Sequence, residues 1–380
     1  MSGAARRVCY LSGTRADFGL MQSTLQMIVD QPGLDLDLVV TGMHLSRRFG
    51  NTVEEIVASG LRVAARIPVA IEESTGAVMA RNLAATLNGC VDAFERLNPD
   101  IVLLLGDRGE MLAGALAAIH LNIPIAHIHG GERSGTVDEP IRHAISKLAH
   151  FHFVSSEDAR GRLLQMGEHA EQIFVTGAPG LDGLVGLAAF GRDELCAGVG
   201  FDPATPVGLM VYHPVLQESA EAEYQVRTIV DVCLSRRLQL MALMPNSDAG
   251  SVGVRRVLDA YVRHPHVRVR NHLPRREFVS WMAASDLMVG NSSSGIIEAA
   301  SFGTPVINVG IRQNLRERNS NVIDVPARGD DIAAAVEQCF SHGRSPACNA
   351  YGDGKAGRRI VTHLLAADLS GGVLLKANAY

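Results

Sequence analysis

Ile101-Val102-Leu103-Leu104-Leu105-Gly106-Asp107-Arg108-Gly109-Glu110 holds the joint on which the fold turns. Five apolar residues in a row fit a strand covered on both faces, a glycine ends the run, and a helical pattern starts near Gly109. The same joint recurs outward in both directions. Short β-type runs at Val8 to Leu11, Leu36 to Thr41, Ile125 to Ile128, Phe151 to Val154 and Ile173 to Thr176 alternate with helical segments such as Val78 to Leu97. A second series follows Pro206, with strands predicted at Val207 to Tyr212, Leu238 to Leu243, Val267 to Arg270, Leu287 to Val289 and Val306 to Asn308. This alternation predicts an α/β protein of two doubly wound domains. The stretch Gly177 to Pro206, rich in Gly and Pro, holds the boundary, which we place near 185, giving units of 1–185 and 186–380. A short helical pattern through Ile360, Val361, Leu364 and Leu365 closes the second unit as a helical tail. In such sheets ligands lie beyond the carboxyl ends of the strands, so the turns after each run are where chemistry is expected.

Composition narrows the classes. At 380 residues and 47% hydrophobic the chain can bury two cores, and its net charge of −5 argues against nucleic acid as a partner. The six cysteines form no C-x-x-C pair, so neither a zinc ribbon nor a disulfide framework is indicated and a reducing cytoplasm suits them. The apolar run after Arg6 and Arg7 stops at Ser12-Gly13, too short for a signal peptide. Met111 to Ala126 is broken by His120, Asn122 and Pro124, so no membrane association is expected.

Polar residues gather at the predicted strand ends. Ser12 to Gly19 leads a glycine turn into a helix start beside Arg15, which suits a phosphate or carboxylate; a solvated Arg15 at an ordinary turn is the plainer alternative. Asp107 can cap the helix that follows it, but a cap does not explain the adjacent Arg108 and Glu110. The densest cluster runs from His127 to His143. Pro140 fits a first helical position there, which leaves Asp138 or Glu139 at the helix start, with capping again the plainer reading. Strand alternation places His127 and His129 on one face, yet no third ligand of usual spacing follows, so no metal is assigned. Two His and three carboxylates around Gly130-Gly131 suit acid/base chemistry instead. In the second half, His213 ends a strand, Asn246 lies in a polar loop from Met244 to Ser251, and Gly290-Asn291-Ser292-Ser293-Ser294-Gly295 enters a helix carrying Glu298. Hydroxyls and free N–H groups at a helix start can seat an anion, and the Glu can accept two ribose hydroxyls.

Taken together, Gly13 to Asp17, Val40 to His44, Gly106 to Arg108, His127 to Lys147, Tyr212 to Pro214, Gly290 to Glu298 and Gly310 to Gln313 resemble the hydrolysing UDP-N-acetylglucosamine 2-epimerases of bacterial sialic-acid synthesis. The resemblance implies two Rossmann-like domains of GT-B type with a cleft between them. It implies that Arg15, His213, Ser292, Ser293, Glu298 and Arg312 hold UDP, with Ala16, Arg108, Asn246 and Leu273 lining the same site. Asp107 and Asp138 match catalytic carboxylates, and a third acidic position of many relatives falls on His129, leaving that role open between His129 and Glu132.

The implied chemistry removes the C2 proton as UDP leaves C1, giving a 2-acetamidoglucal; water then adds at C1 with protonation of C2 from the other face, releasing N-acetylmannosamine. It needs no redox cofactor and no metal. A protonated His213, with Arg15 and Arg312, would neutralise the developing diphosphate charge. A cytoplasmic homodimer or homotetramer is expected. The near alternative is hydrolysis and epimerisation of UDP-2,4-diacetamido-2,4,6-trideoxyglucose, on the way to legionaminic-type acids. A non-hydrolysing epimerase, a GT-B glycosyltransferase and a non-catalytic nucleotide-binding regulator are the further alternatives. The glycosyltransferase would need an acceptor site, which the His127 to His143 cluster fits poorly, and the regulator would have no use for Asp107, Asp138 and His213 around one cleft.

Overall fold

Seven strands form the first sheet: β1 (Arg6–Ser12), β2 (Leu34–Thr41), β3 (Val63–Ile67), β4 (Ile101–Leu105), β5 (Ile125–Ile128), β6 (Phe151–Val154) and β7 (Ile173–Val175). They lie in the order β3-β2-β1-β4-β5-β6-β7 and every pairing is parallel. A second parallel sheet holds β8 (Val207–Val211), β9 (Gln239–Leu243), β10 (Val267–Arg270), β11 (Leu287–Gly290), β12 (Val306–Val309) and β13 (Val322–Val325), ordered β10-β9-β8-β11-β12-β13. This is the two-domain, GT-B-like α/β fold. It comes from a computed structural model, which describes residues 5–71, 75–135, 138–246, 248–370 and 372–379. Thr136, Val137 and Ser247, which belong to the polar stretches quoted above, lie outside the described residues. Among the described residues no helix is long and apolar enough to cross a membrane.

The central strands form where the apolar runs predict them. All five residues of β4 are buried, and helices Gly76–Leu97 and Gly109–His120 cover its neighbourhood. The two strands not predicted are both at sheet edges. β3 (VAARI) and β13 (VIDV) are half-exposed and carry a charged residue, so neither reads as a continuous apolar run.

Register then fixes the site. Leu105 pairs with Ile128, so Gly106-Asp107 and His129 leave the first sheet side by side. In the second sheet Gly290 pairs with Val211, which sets Asn291 beside His213. A β-carbon on Gly290, whose φ is +133°, would stand 2.2 Å from the Val211 carbonyl oxygen, so this crossing needs glycine.

The C-terminal helix departs from its expected place as a tail of the 186–380 unit. Helix Ala356–Ala366 lays Ile360, Val361 and Leu364 into the core of the first sheet, with Phe18, Met21 and Leu25. Its start is fixed by Asp182, which accepts from the backbone N–H of Ala356 at 2.8 Å and of Gly357 at 2.6 Å. Its end is held by Arg6, which donates to the carbonyls of Leu364 and Ala367. Apolar burial on one face and a capping carboxylate from residue 182 outweigh closeness in sequence to the second sheet. Leu364→Ala is therefore expected to lower stability by roughly 2–5 kcal/mol, as for a core leucine. Urea denaturation checks this, and a loss comparable to that of an exposed leucine would place the helix outside the core.

Candidate active site

A buried guanidinium organises the first half of the cleft. Arg142, 1% exposed on helix Asp138–Leu148, donates to an Asp107 carboxylate oxygen and, at 2.8 Å, to the His129 carbonyl. Asp107 does not cap the next helix, because the cap position falls on Arg108. Asp138 opens its own helix as predicted, and Pro140 is the third helical residue rather than the first, still within the turn whose N–H groups have no acceptor inside the helix.

His129 turns out of the strand with φ +63°, so alternation does not carry it onto the face of His127. His127 instead lies within 2.7 Å of the Gly106 carbonyl and 3.1 Å of Ser146 Oγ, and burial drives its pKa down to about 3. The His129 ring nitrogen Nδ1 bonds Glu132 Oε1, which also accepts from Ser155 Oγ at 2.6 Å. Glu132 Oε2 takes Arg316 from the second domain and stands 3.8 Å from Arg142. Burial alone would raise this carboxyl, but His129, Arg316 and Arg142 overcome it and hold Glu132 well below the ordinary range. A carboxylate so committed orients His129 and carries no proton of its own.

The second sheet supplies the opposite wall. His213 N–H donates to Asn291 Oδ1 at 2.7 Å, Asn291 Nδ2 returns a bond to the His213 carbonyl at 2.8 Å, and the Asn246 N–H reaches His213 Nδ1 at 3.3 Å. With Nδ1 accepting, the neutral ring carries its proton on Nε2. Asn246 also donates to Asp248 at 2.5 Å, and Asp248 receives Arg108 from the first domain at 3.2 Å. Arg312 donates to the Asn291 carbonyl at 3.2 Å and stands 3.9 Å from Asp138.

Electrostatics separates these groups. Burial first, then the charge of Asp107, raises Asp138 to about 6. Burial, with Arg312 and Arg108 nearby, lowers His213 to about 3, so the ring is neutral here and the protonated His213 considered above is not the resting form. Asp248 moves the other way; burial raises it, but Arg108 and Arg312 bring it below its usual value.

The remaining predicted residues lie mostly in the helices that follow β1 and β11. Ser292 caps the five-residue helix Ser293–Ile297 and its hydroxyl lies 2.8 Å from that of Ser294. Glu298, 2% exposed, is taken by Arg275. Arg15 pairs with Glu55 at 2.7 Å and donates across the cleft to the carbonyl of buried Leu273, while Ala16 is exposed beside it. Among the described residues no group of three His, Cys, Asp or Glu side chains is placed to hold a metal ion.

A family described as UDP-N-acetylglucosamine 2-epimerase matches residues 26–365. The chain belongs to that family. Over 375 residues this epimerase is 48% identical to the hydrolysing UDP-N,N'-diacetylbacillosamine 2-epimerase of Legionella pneumophila, spanning 99% of this chain and 100% of that protein. The UDP-N-acetylglucosamine 2-epimerase of Neisseria meningitidis serogroup B is 33% identical over 92% of this chain and 91% of its own length. Among solved structures, the UDP-GlcNAc 2-epimerase from Neisseria meningitidis bound to UDP-GlcNAc shares the fold, with a TM-score of 0.81 at 19% identity over 95% of this chain and 100% of that one.

Sequence reading did not single out Arg142, Arg316, Asp248 or Arg275. Arg142 left a signal, four residues after Asp138 on the same helix, and Asp248 lies in the polar loop that carries Asn246. Because Glu132 is depressed when folded, its contribution to stability is full above the ordinary carboxylate value near 4.5 and fades as the pH falls below it. Glu132→Gln is thus expected to unfold more easily by about 3–5 kcal/mol at neutral pH, because buried Arg316 loses its carboxylate partner while Arg142 keeps Asp107. Denaturation at stepped pH should show the gap to the wild type shrinking on acidification below that value; a gap independent of pH would remove Glu132 from the ionised pairing.

Proposed function

We propose that this epimerase hydrolyses a UDP-linked 2-acetamido sugar to UDP and the free 2-epimer, and that it takes UDP-2,4-diacetamido-2,4,6-trideoxyglucose, which is UDP-N,N'-diacetylbacillosamine, ahead of UDP-N-acetylglucosamine. The observation that carries the reading is the 48% identity, end to end, to a hydrolysing enzyme named for the diacetyl sugar. A second relative named for the GDP- or UDP-linked form of that sugar, from Campylobacter jejuni, is 32% identical over 88% of this chain. The UDP-N-acetylglucosamine reading, first in order from the resemblance alone, keeps the support of the Neisseria relative at 33%.

In the proposed reaction a base removes the C2 proton, the electron pair forms the C1=C2 bond, and the C1–O bond breaks with UDP taking the electrons. Water then adds its hydroxyl to C1, and a proton reaches C2 from the opposite face. Asp107 and Asp138 are the carboxylates assigned to these transfers. Asp138 suits the role because, near 6, it exchanges a proton readily close to neutral pH. His129, held at Nδ1 by Glu132, takes the third proton-handling role. Neutral His213, through its Nε2–H, and Arg312 meet the diphosphate; Arg15, Arg108, Asn246, Ser292, Ser293 and Glu298 complete the nucleotide's setting, with Ala16 and Leu273 beside it. Negative charge growing on the leaving phosphate is stabilised by donors already in place.

Incubation with each UDP-sugar, followed by NMR, should show free UDP with the free 2-epimer, and a kcat/KM for the diacetyl sugar roughly tenfold or more above that for UDP-N-acetylglucosamine. UDP retained on the product would overturn hydrolysis, and the reverse preference would overturn the substrate. Asp107→Asn and Asp138→Asn are each expected to slow turnover by roughly 10²-fold or more with UDP affinity within a few-fold. Near-normal turnover in both would return these carboxylates to structure.

A further inference from the structure

Four ionisable side chains meet at the end of helix Asp138–Leu148 that faces away from the cleft. Glu168, with its side chain 2% exposed, pairs with Lys147 at 2.7 Å, His152 at 2.9 Å and Lys376 at 2.6 Å. Nothing in the proposed reaction uses them. Lys376 comes from the far end of the chain, and its ammonium also donates to the carbonyls of Ser146, at 3.0 Å, and Ala149. Carbonyls at a helix C-terminus have no donor within the helix, and a cation there opposes the negative end of the helix dipole. The neighbouring tail is docked along the same edge: Lys147 donates to Asn378 Oδ1 at 2.8 Å, and the Ala379 N–H donates to the Gly167 carbonyl at 2.9 Å.

This anchored end is linked to the strand end bearing Asp107 through one histidine. Ser146 Oγ lies 3.1 Å from His127 Nδ1, and His127 Nε2 lies 2.7 Å from the carbonyl of Gly106, the residue before Asp107. One turn before Ser146, Arg142 holds Asp107 itself, and the first turn of the helix carries Asp138. Any slide of this helix along its axis moves Asp138 and Arg142 together.

We propose that Lys376 is a positioning residue for the acid/base carboxylates, fixing from the C-terminal end the helix whose first turn bears Asp138. The proposal rests on the functional reading above for the identity of those carboxylates. A misplacement of about 1 Å in reacting groups is enough to slow chemistry by up to ~10²-fold while leaving ligand contacts on the other domain unchanged.

Lys376→Met keeps the aliphatic stem and removes the ammonium; Lys376→Arg restores a cation. In Lys376→Met, kcat on the UDP-sugar should fall about tenfold with KM within about twofold, and Lys376→Arg should recover most of the loss. UDP affinity by calorimetry should be unchanged. Amide hydrogen exchange should quicken over 138–148 and stay as in the wild type over 109–120. A variant that melts earlier but keeps kcat and the exchange pattern would reduce Lys376 to a stabilising contact and overturn the proposal. If Lys376→Met does not fold, Lys376→Gln, which can still reach one carbonyl, takes its place with the same criteria. Should the wild type release UDP from no UDP-sugar, the functional reading fails, and the exchange comparison by itself decides whether Lys376 holds the helix.

Discussion

One guanidinium holds the first domain's half of the cleft together. Arg142 is almost wholly buried, so its charge is tolerable only with partners, and it finds them on two separate strand ends: the carboxylate of Asp107 after β4 and the carbonyl of His129 after β5. Because both partners also belong to the proposed chemistry, the pairing that makes burial possible also sets the distance between them. Glu132 extends the same logic across the domains, since it neutralises Arg316 and lies close to Arg142 while fixing the ring of His129. Charged side chains of both domains thus meet directly at this part of the junction.

The fold was legible wherever burial forces a simple pattern. Central strands such as β4 and β5 must be apolar on both faces, so their runs stand out and their ends come within a residue or two of where they were predicted. Edge strands face water on one side, and β3 and β13 accordingly carry Arg66 and Asp324, which breaks the run that would have revealed them. The C-terminal helix shows a different limit. Its apolar face is plain in the sequence, but nothing local says which of two cores it covers; that is decided by Asp182 and Arg6, far from it along the chain.

The candidate site was legible in its strand-end residues and hidden in their partners. Asp107, His129 and His213 follow apolar runs closely, and Asp138 stands at a helix start, so position alone marks them. Arg142, Asp248 and Arg316 have no such position; they matter because the register of each sheet and the meeting of the domains bring them to those residues. A polar network has no period, so a sequence can show its members without showing who pairs with whom. The same applies to the state of His213, where the neighbouring Arg312 and Arg108, invisible as neighbours in sequence, help make a charged ring costly.

Every arginine named around the cleft already has a carboxylate near it, but the pairs are not equally tight. Glu132 with Arg316 and Glu298 with Arg275 are buried contacts, whereas Arg312 and Asp138 stand 3.9 Å apart with Asp138 partly exposed. Separating a buried pair leaves a desolvated charge behind and costs several kcal/mol, on the order of 3–5, while a loose, wetter pair gives way at little cost. Under the proposed assignment, an arriving diphosphate meets a looser pair at Arg312 than those at Arg275 and Arg316. Taking that arginine from Asp138 leaves burial and Asp107 less opposed, which favours the protonated carboxyl. In the proposed reaction, seating the leaving group and loading the proton carrier are then one electrostatic event, while the tighter pairs hold the geometry in which it occurs.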